Sequence, residues 1–243
     1  MQDENLSPEM KYLSGMKRIE DRIGYSFADK TLLLTALTHS TFSYENKDRF
    51  SDNNERLEFL GDSVLDLIVG DILYNSEEFL PEGIMSKVRA LVVCEATLSD
   101  AAKMIGLGDC LLLGKGEELT DGRSKLSNLS NALEAVIAAI YLDSGYKEAY
   151  RTVKTLLDPY IERAMKGKIV YDYKSRFLEY IQSVREQGNI KFCIVREEGP
   201  EHNRKFFAQI LYKDKIVGSG SGSTKKEAEQ EASKEAFEKL SPE

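Results

Sequence analysis

The stretch Asn54 to Ser63, NERLEFLGDS, sets acidic side chains at helical spacing inside an otherwise apolar run. At 3.6 residues per turn, Glu55, Glu58 and Asp62 fall within an arc of about 60°. Leu57, Leu60, Val64, Leu65 and Ile68 take the other faces, so the spacing predicts a largely buried helix that carries carboxylates. Like charges at i,i+3 and i,i+4 cost roughly 0.2–0.5 kcal/mol per pair on an exposed helix, and more where they are desolvated. A cation relieves that cost. Gly61 weakens the same helix unless another backbone comes close to it. A second stretch, Ser130 to Asp143 (SNALEAVIAAIYLD), puts Asn131 and Glu134 on one face, with Ala135, Ala138 and Ala139 small enough for close helix packing. The two faces are expected to meet around a hard divalent cation. Oxygen donors without a nearby His or Cys favour Mg²⁺ or Mn²⁺ over zinc or copper.

Composition sets the frame for that site. The chain has 243 residues, 42% hydrophobic and 30% charged, which suits one or two globular domains. No stretch approaches the roughly 18 uninterrupted apolar residues of a membrane span. The start, MQDENLSPEM, is polar and unlike a signal peptide, so a cytoplasmic location away from membranes is expected. Cys94, Cys110 and Cys193 lack metal-ligand spacing and read as buried structural thiols. The net charge of −8 is unevenly placed: from Asp172 to Glu243, 13 basic and 13 acidic residues cancel, so the preceding part carries all of it. If the tail binds nucleic acid, its cations must be focused on one face.

Apolar residues recur at helical spacing from Gly15 to Met165, which predicts an all-helical domain over residues 1–166. Gly116 to Asn128 is polar and reads as a loop. A linker is expected at 167–171, and a second domain over 172–243. There, Asp172 to Ser183 reads as a helix; Lys191 to Arg196, Lys205 to Tyr212 and Lys215 to Ser219 read as strands; Thr224 to Leu240 returns to helical spacing. The expected fold is therefore mainly α, in two domains, the second ordered αβββα.

NERLEFLGDS and NALEAVIAAIYLD, with ALTHST (Ala36 to Thr41) and PEGIMSKVRA (Pro81 to Ala90), resemble the signature blocks of the ribonuclease III family in their usual order. The tail resembles that family's double-stranded-RNA-binding domain, and the likeness runs from about Lys17 to Leu240. The resemblance implies a metal-dependent endonuclease of double-stranded RNA that leaves 5′-phosphate and 3′-hydroxyl ends, acts on ribosomal RNA precursors and other structured transcripts, and works as a homodimer. Glu58, Asp62, Asn131 and Glu134 match the family's metal-site positions, with Asp62 and Glu134 most tied to activating and placing water. The family commonly has Asp where Asn131 stands. Glu55 and Glu82 match auxiliary acids, Glu82 near the RNA or the partner subunit. Phe59 matches a residue the family buries against a second subunit; a place in the subunit's own core is the other reading. Asp66, one turn along the acidic face, matches no family position and reads as solvated or ion-paired.

In the tail, Thr224-Lys225-Lys226-Glu227 has the form of a capping box. Lysines at a helix N-terminus oppose the macrodipole, whereas phosphates lying there would be held by lysines and dipole together. By resemblance, Lys225 and Lys226 contact phosphate, Gly199, Pro200 and His202 form a minor-groove loop, and Glu179 and Gln182 face the RNA from the first helix. Leu178 stands where related sequences often carry a glutamine. Recognition of duplex shape over about 16 bp is expected rather than single-strand stacking. Gly218 to Gly222 (GSGSG) lacks the Walker lysine pattern and is expected to turn into the last helix.

Other designs fit poorly. The two histidines, His39 and His202, fall in different domains, so a paired-His ribonuclease or a Ser-His-Asp triad is not readily built, and His39 reads as a hydrogen-bonded structural residue. Two rivals stay open at this level: a regulator that binds duplex RNA without cutting it, which the Asn131 departure allows, and a hydrolase of small phosphates, which leaves the tail unexplained.

Overall fold

The computed structural model describes residues 8–166, 173–183, 189–200 and 204–240. The linker expected at 167–171 and His202 lie outside the described residues. Internal contacts divide the chain into two compact units, Met1–Ile169 and Val170–Glu243.

The first unit is helical: α1 (Pro8–Ile23), α2 (Lys30–Leu37), α3 (Ser40–Glu45), α4 (Glu55–Tyr74), α5 (Glu82–Val92), α6 (Glu95–Met104), a 3₁₀ turn (Leu107–Cys110), α7 (Lys115–Leu119), α8 (Leu126–Ser144) and α9 (Tyr146–Met165). Helix α8 is apolar all round from Ala132 to Ile140 and is correspondingly buried there, except at Glu134. It packs against α2, α4, α6 and α9, and so forms the centre of the domain. Asp143, at its far end, accepts hydrogen bonds from Ala28 N (2.8 Å), Asp29 N (2.9 Å) and the Tyr25 hydroxyl (2.5 Å), which ties the start of α2 to α8. His39 caps α3: its Nδ1 accepts from Thr41 N at 3.3 Å, the structural role expected of it.

The polar run Gly116 to Asn128 is not all loop. Its ends belong to α7 and α8, and Glu117 joins them by accepting from Lys125 Nζ (2.7 Å) and Asn128 Nδ2 (2.8 Å). Those partners hold the Glu117 carboxyl below its usual range. Nor is α4 buried on every side. Leu57, Val64, Leu65, Ile68 and Val69 face the core, while Phe59, Leu67 and Tyr74 are exposed along one stripe. Of the three cysteines only Cys110 is fully buried; Cys94 and Cys193 are half-buried free thiols.

The second unit contains α10 (Tyr173–Ser183), β1 (Ile190–Glu198), β2 (Lys205–Tyr212), β3 (Lys215–Gly222) and α11 (Lys225–Leu240), the antiparallel sheet running in the order β1-β2-β3. Phe177, Ile181, Ala208, Ile210 and Tyr212 form its core with Ala228, Ala232 and Ala236. Strand β2 has the expected bounds, β1 and β3 are longer than the alternation implied, and GSGSG is strand rather than turn. A Cβ on Gly218 would lie 2.1 Å from Ala232 O, and one on Gly220 would lie 2.2 Å from Ala232 N. The glycine alternation is thus the face on which α11 lies, matched to the helix's own alanines every fourth residue. The cap also differs in detail. Thr224 Oγ1 accepts from Glu227 N at 3.1 Å, but Glu227 reaches back to Ser223 N (2.8 Å), one residue before the cap.

Candidate active site and nucleic-acid interface

Helices α4 and α8 cross at Gly61. A Cβ there would sit 2.0 Å from Glu134 O and 3.0 Å from Glu134 Cα, so only glycine lets the two backbones come this close. The crossing brings the acidic faces together. Burial, with the Asp62 and Glu58 charges, pushes Glu134 up to about 7. Burial and the Glu55 and Asp62 charges raise Glu58 as well, against a hydrogen bond from Asn131 that lowers it. Asn131 thus favours the charged form of Glu58, and its oxygen accepts from the hydroxyl of buried Ser130 at 3.3 Å. Glu58, Asn131 and Glu134 are half-buried, and Asp62 is exposed at the mouth.

Glu55 is exposed and acts on Glu58 through its charge. Glu82 stands on α5, where it accepts from Ser86 Oγ at 2.8 Å and lines a cleft with Gly70, Tyr74 and Arg89. Asp66 is paired with Arg89 at 3.7 Å, the ion-paired alternative for that residue. Phe59 is 79% exposed, which removes the core-only reading, and with Leu142 it lines a cleft of about 730 Å³ beside the acidic face.

Burial first, and then neighbouring carboxylate charge, raises both groups, as expected where negative charge is partly desolvated without a cation beside it. The donors fit a hard divalent ion, being all oxygen. Among the described residues no three His, Cys, Asp or Glu side chains converge enough to enclose a metal.

In the second unit, Glu179 and Gln182 are exposed on α10, and Leu178 is half-buried. Gly199, at φ 91°, and Pro200 are exposed at the end of β1. Lys225 and Lys226 are exposed in the first turn of α11. The structure adds two residues that sequence reasoning missed, Glu197 and Arg204. Lys225 Nζ lies 3.2 Å from Glu197, and Arg204 lies 3.5 Å from the same carboxylate. Neither is flagged by spacing along the chain, because strand pairing brings them together.

Fold and site define a class: a helical domain with carboxylates clustered where two helices cross, joined to an αβββα domain with exposed cations at the start of its last helix. A Ribonuclease-III-like family model matches residues 29–160, and a double-stranded RNA binding motif matches 173–240. Ribonuclease 3 of Caldanaerobacter subterraneus subsp. tengcongensis is 47% identical over 222 residues, 91% of this chain and 96% of that protein. Ribonuclease 3 of Pelotomaculum thermopropionicum is 44% identical over 221 residues, 91% of each chain. The nuclease domain of ribonuclease III from Campylobacter jejuni, from a study of flexibility in its dimer-forming region, matches at TM-score 0.55 and 42% identity, covering 60% of this chain and 97% of that one. The chain belongs to the ribonuclease III family. It is a divalent-metal-dependent endonuclease of double-stranded RNA.

Proposed function

We propose that Glu58, Asp62, Asn131 and Glu134 hold Mg²⁺, with Mn²⁺ able to substitute, and that duplex RNA is hydrolysed over this face. The carrying observation is the approach of α4 and α8 at Gly61, which sets four oxygen-bearing side chains against one another and pushes Glu134 up to about 7. When bound, the ion lowers the pKa of water and steadies the leaving oxygen. Glu134 and Asp62 would place the attacking water, one of the two receiving its proton; Glu58 and Asn131 would form the inner wall. The products carry 5′-phosphate and 3′-hydroxyl ends. Glu55 and Glu82 act as auxiliary acids. In the second unit, Lys225 and Lys226 take phosphates, and Glu179, Gln182, Gly199, Pro200 and His202 meet the minor groove.

Glu134→Gln tests the site. End-labelled duplex RNA should stay uncut in Mg²⁺ while its affinity, measured with chelator present, stays within about twofold, since phosphate contacts carry binding. Cutting at the parent rate in saturating Mg²⁺ would remove Glu134 from the chemistry.

The exposed Phe59 and its cleft support a homodimer formed across this face. No described helix is long and apolar enough to cross a membrane. A cytoplasmic enzyme acting on ribosomal RNA precursors and other structured transcripts accords with the family. Depleting it in cells should leave uncut rRNA precursors, and normal precursor levels would reject that role.

A further inference from the structure

The second unit brings two cations onto one carboxylate. Strand register sets Glu197 of β1 opposite Phe206 of β2, and Phe206 opposite Gly222 of β3. Because α11 begins just after β3, Lys225 arrives over the Phe206 ring, its Nζ 5.6 Å from the centroid and 3.2 Å from Glu197 Oε1. Arg204, next to β2, reaches the other oxygen: its Nη1 is 3.5 Å from Glu197 Oε2. Two neighbouring carboxylates among the described residues are otherwise engaged, Glu198 with Arg196 at 3.0 Å and Glu227 with Ser223 N at 2.8 Å. Two cations from separate elements that share one anion through different oxygens make the arrangement a phosphate group can also satisfy.

We infer that Arg204 and Lys225 form a phosphate-binding pair on the duplex-RNA face, and that Glu197 occupies this pair in the RNA-free protein as a built-in competitor. The inference rests on the phosphate contact proposed above for Lys225, and it adds Arg204 as a second contact and Glu197 as the residue that limits affinity. A purely structural brace explains the cluster less well. The side chains of Lys225, Glu197 and Arg204 are 62%, 38% and 41% exposed, and ion pairs at such exposure contribute little to stability and are screened by salt. A negative charge beside two phosphate-binding cations, by contrast, must be displaced each time RNA docks. The unit's 13 basic and 13 acidic residues leave no net charge to attract RNA, so affinity depends on local focusing, and Glu197 sits within the focus.

The test uses the full chain, with chelator to prevent cutting and a labelled duplex longer than the roughly 16 bp footprint, in a salt series. Glu197→Gln keeps the side chain's shape and removes its charge. It should bind about three- to tenfold tighter, the scale of one or two exposed ion pairs, with a log–log salt slope steeper by about one. Arg204→Ala and Lys225→Ala should each weaken binding about two- to fivefold, and the Glu197→Gln gain should shrink in either background. If Glu197→Gln binds equally or more weakly while Lys225→Ala still loses affinity, the competitor inference is overturned and the phosphate contact stands. If Lys225→Ala changes nothing, the phosphate contact fails and the inference falls with it.

Discussion

Glu134 shows how a reactive group is left unstable by its own surroundings. Burial and the charges of Asp62 and Glu58 push its carboxyl up to about 7, so the folded protein holds the proton more tightly than the unfolded chain, where the ordinary value is 4.5. Above the folded value the metal-free fold bears the full cost of that ionisation; below the unfolded value the cost vanishes. Glu134→Gln is therefore expected to stabilise the chelator-treated protein by about 1–3 kcal/mol at pH 8, with the gain shrinking as pH falls through the window from 7 to 4.5. Thermal melts across that range check the sign, and a gain that grew toward acid would contradict the assigned environment. Asn131 carries the complementary question. Its oxygen accepts from Ser130 and it favours the charged form of Glu58, but as an amide it gives the site one negative charge fewer than an Asp would supply. Asn131→Asp should lower the Mg²⁺ concentration for half-maximal cleavage several-fold. An unchanged or raised requirement would mean the surrounding groups have adapted to the amide.

The pair α4 and α8 is the unit that makes the site, and Gly61 is its hinge point. A methyl group there would overlap Glu134 O at 2.0 Å, so Gly61→Ala must push the helices apart or break the local backbone. The expected result is a loss of stability of about 2–4 kcal/mol together with a cleavage defect larger than that instability explains, because the carboxylates separate. Wild-type cleavage by a well-folded Gly61→Ala protein would show that the close crossing is not needed. This element was legible in the sequence: an interior glycine on an acidic helix, facing a run with small residues every three or four positions, points to close approach. GSGSG, at the end of β3, carried the same signal and was read as a turn, because period-2 glycine looks like a loop until a helix is known to lie on it.

At the scale of the whole molecule, the nuclease unit leaves apolar side chains uncovered beside its own site. Phe59 is 79% exposed and Leu142 is 52% exposed, and a second copy of the chain would take both out of water. Phe59→Ala should weaken self-association by about 1–3 kcal/mol, read by sedimentation over a dilution series, and cleavage should fall in step with the dimer fraction. A variant that remains dimeric at the lowest concentration would place the interface elsewhere.

Local pattern alone determined the helical first domain, the αβββα second domain, the two acidic stretches and the hard-cation chemistry, because helical and strand periods, cap residues and donor types are properties of neighbouring residues in the chain. Tertiary structure decided what depends on distances between segments: that Gly61 meets Glu134, that Asn131 adjoins Glu58, that Phe59 faces out, and that Glu197 draws Arg204 and Lys225 together. The physical reason is the same in each case. Burial, pKa and ion pairing are set by which atoms share a few ångströms of space, and residues far apart in sequence come to share it only when helices pack and strands take register.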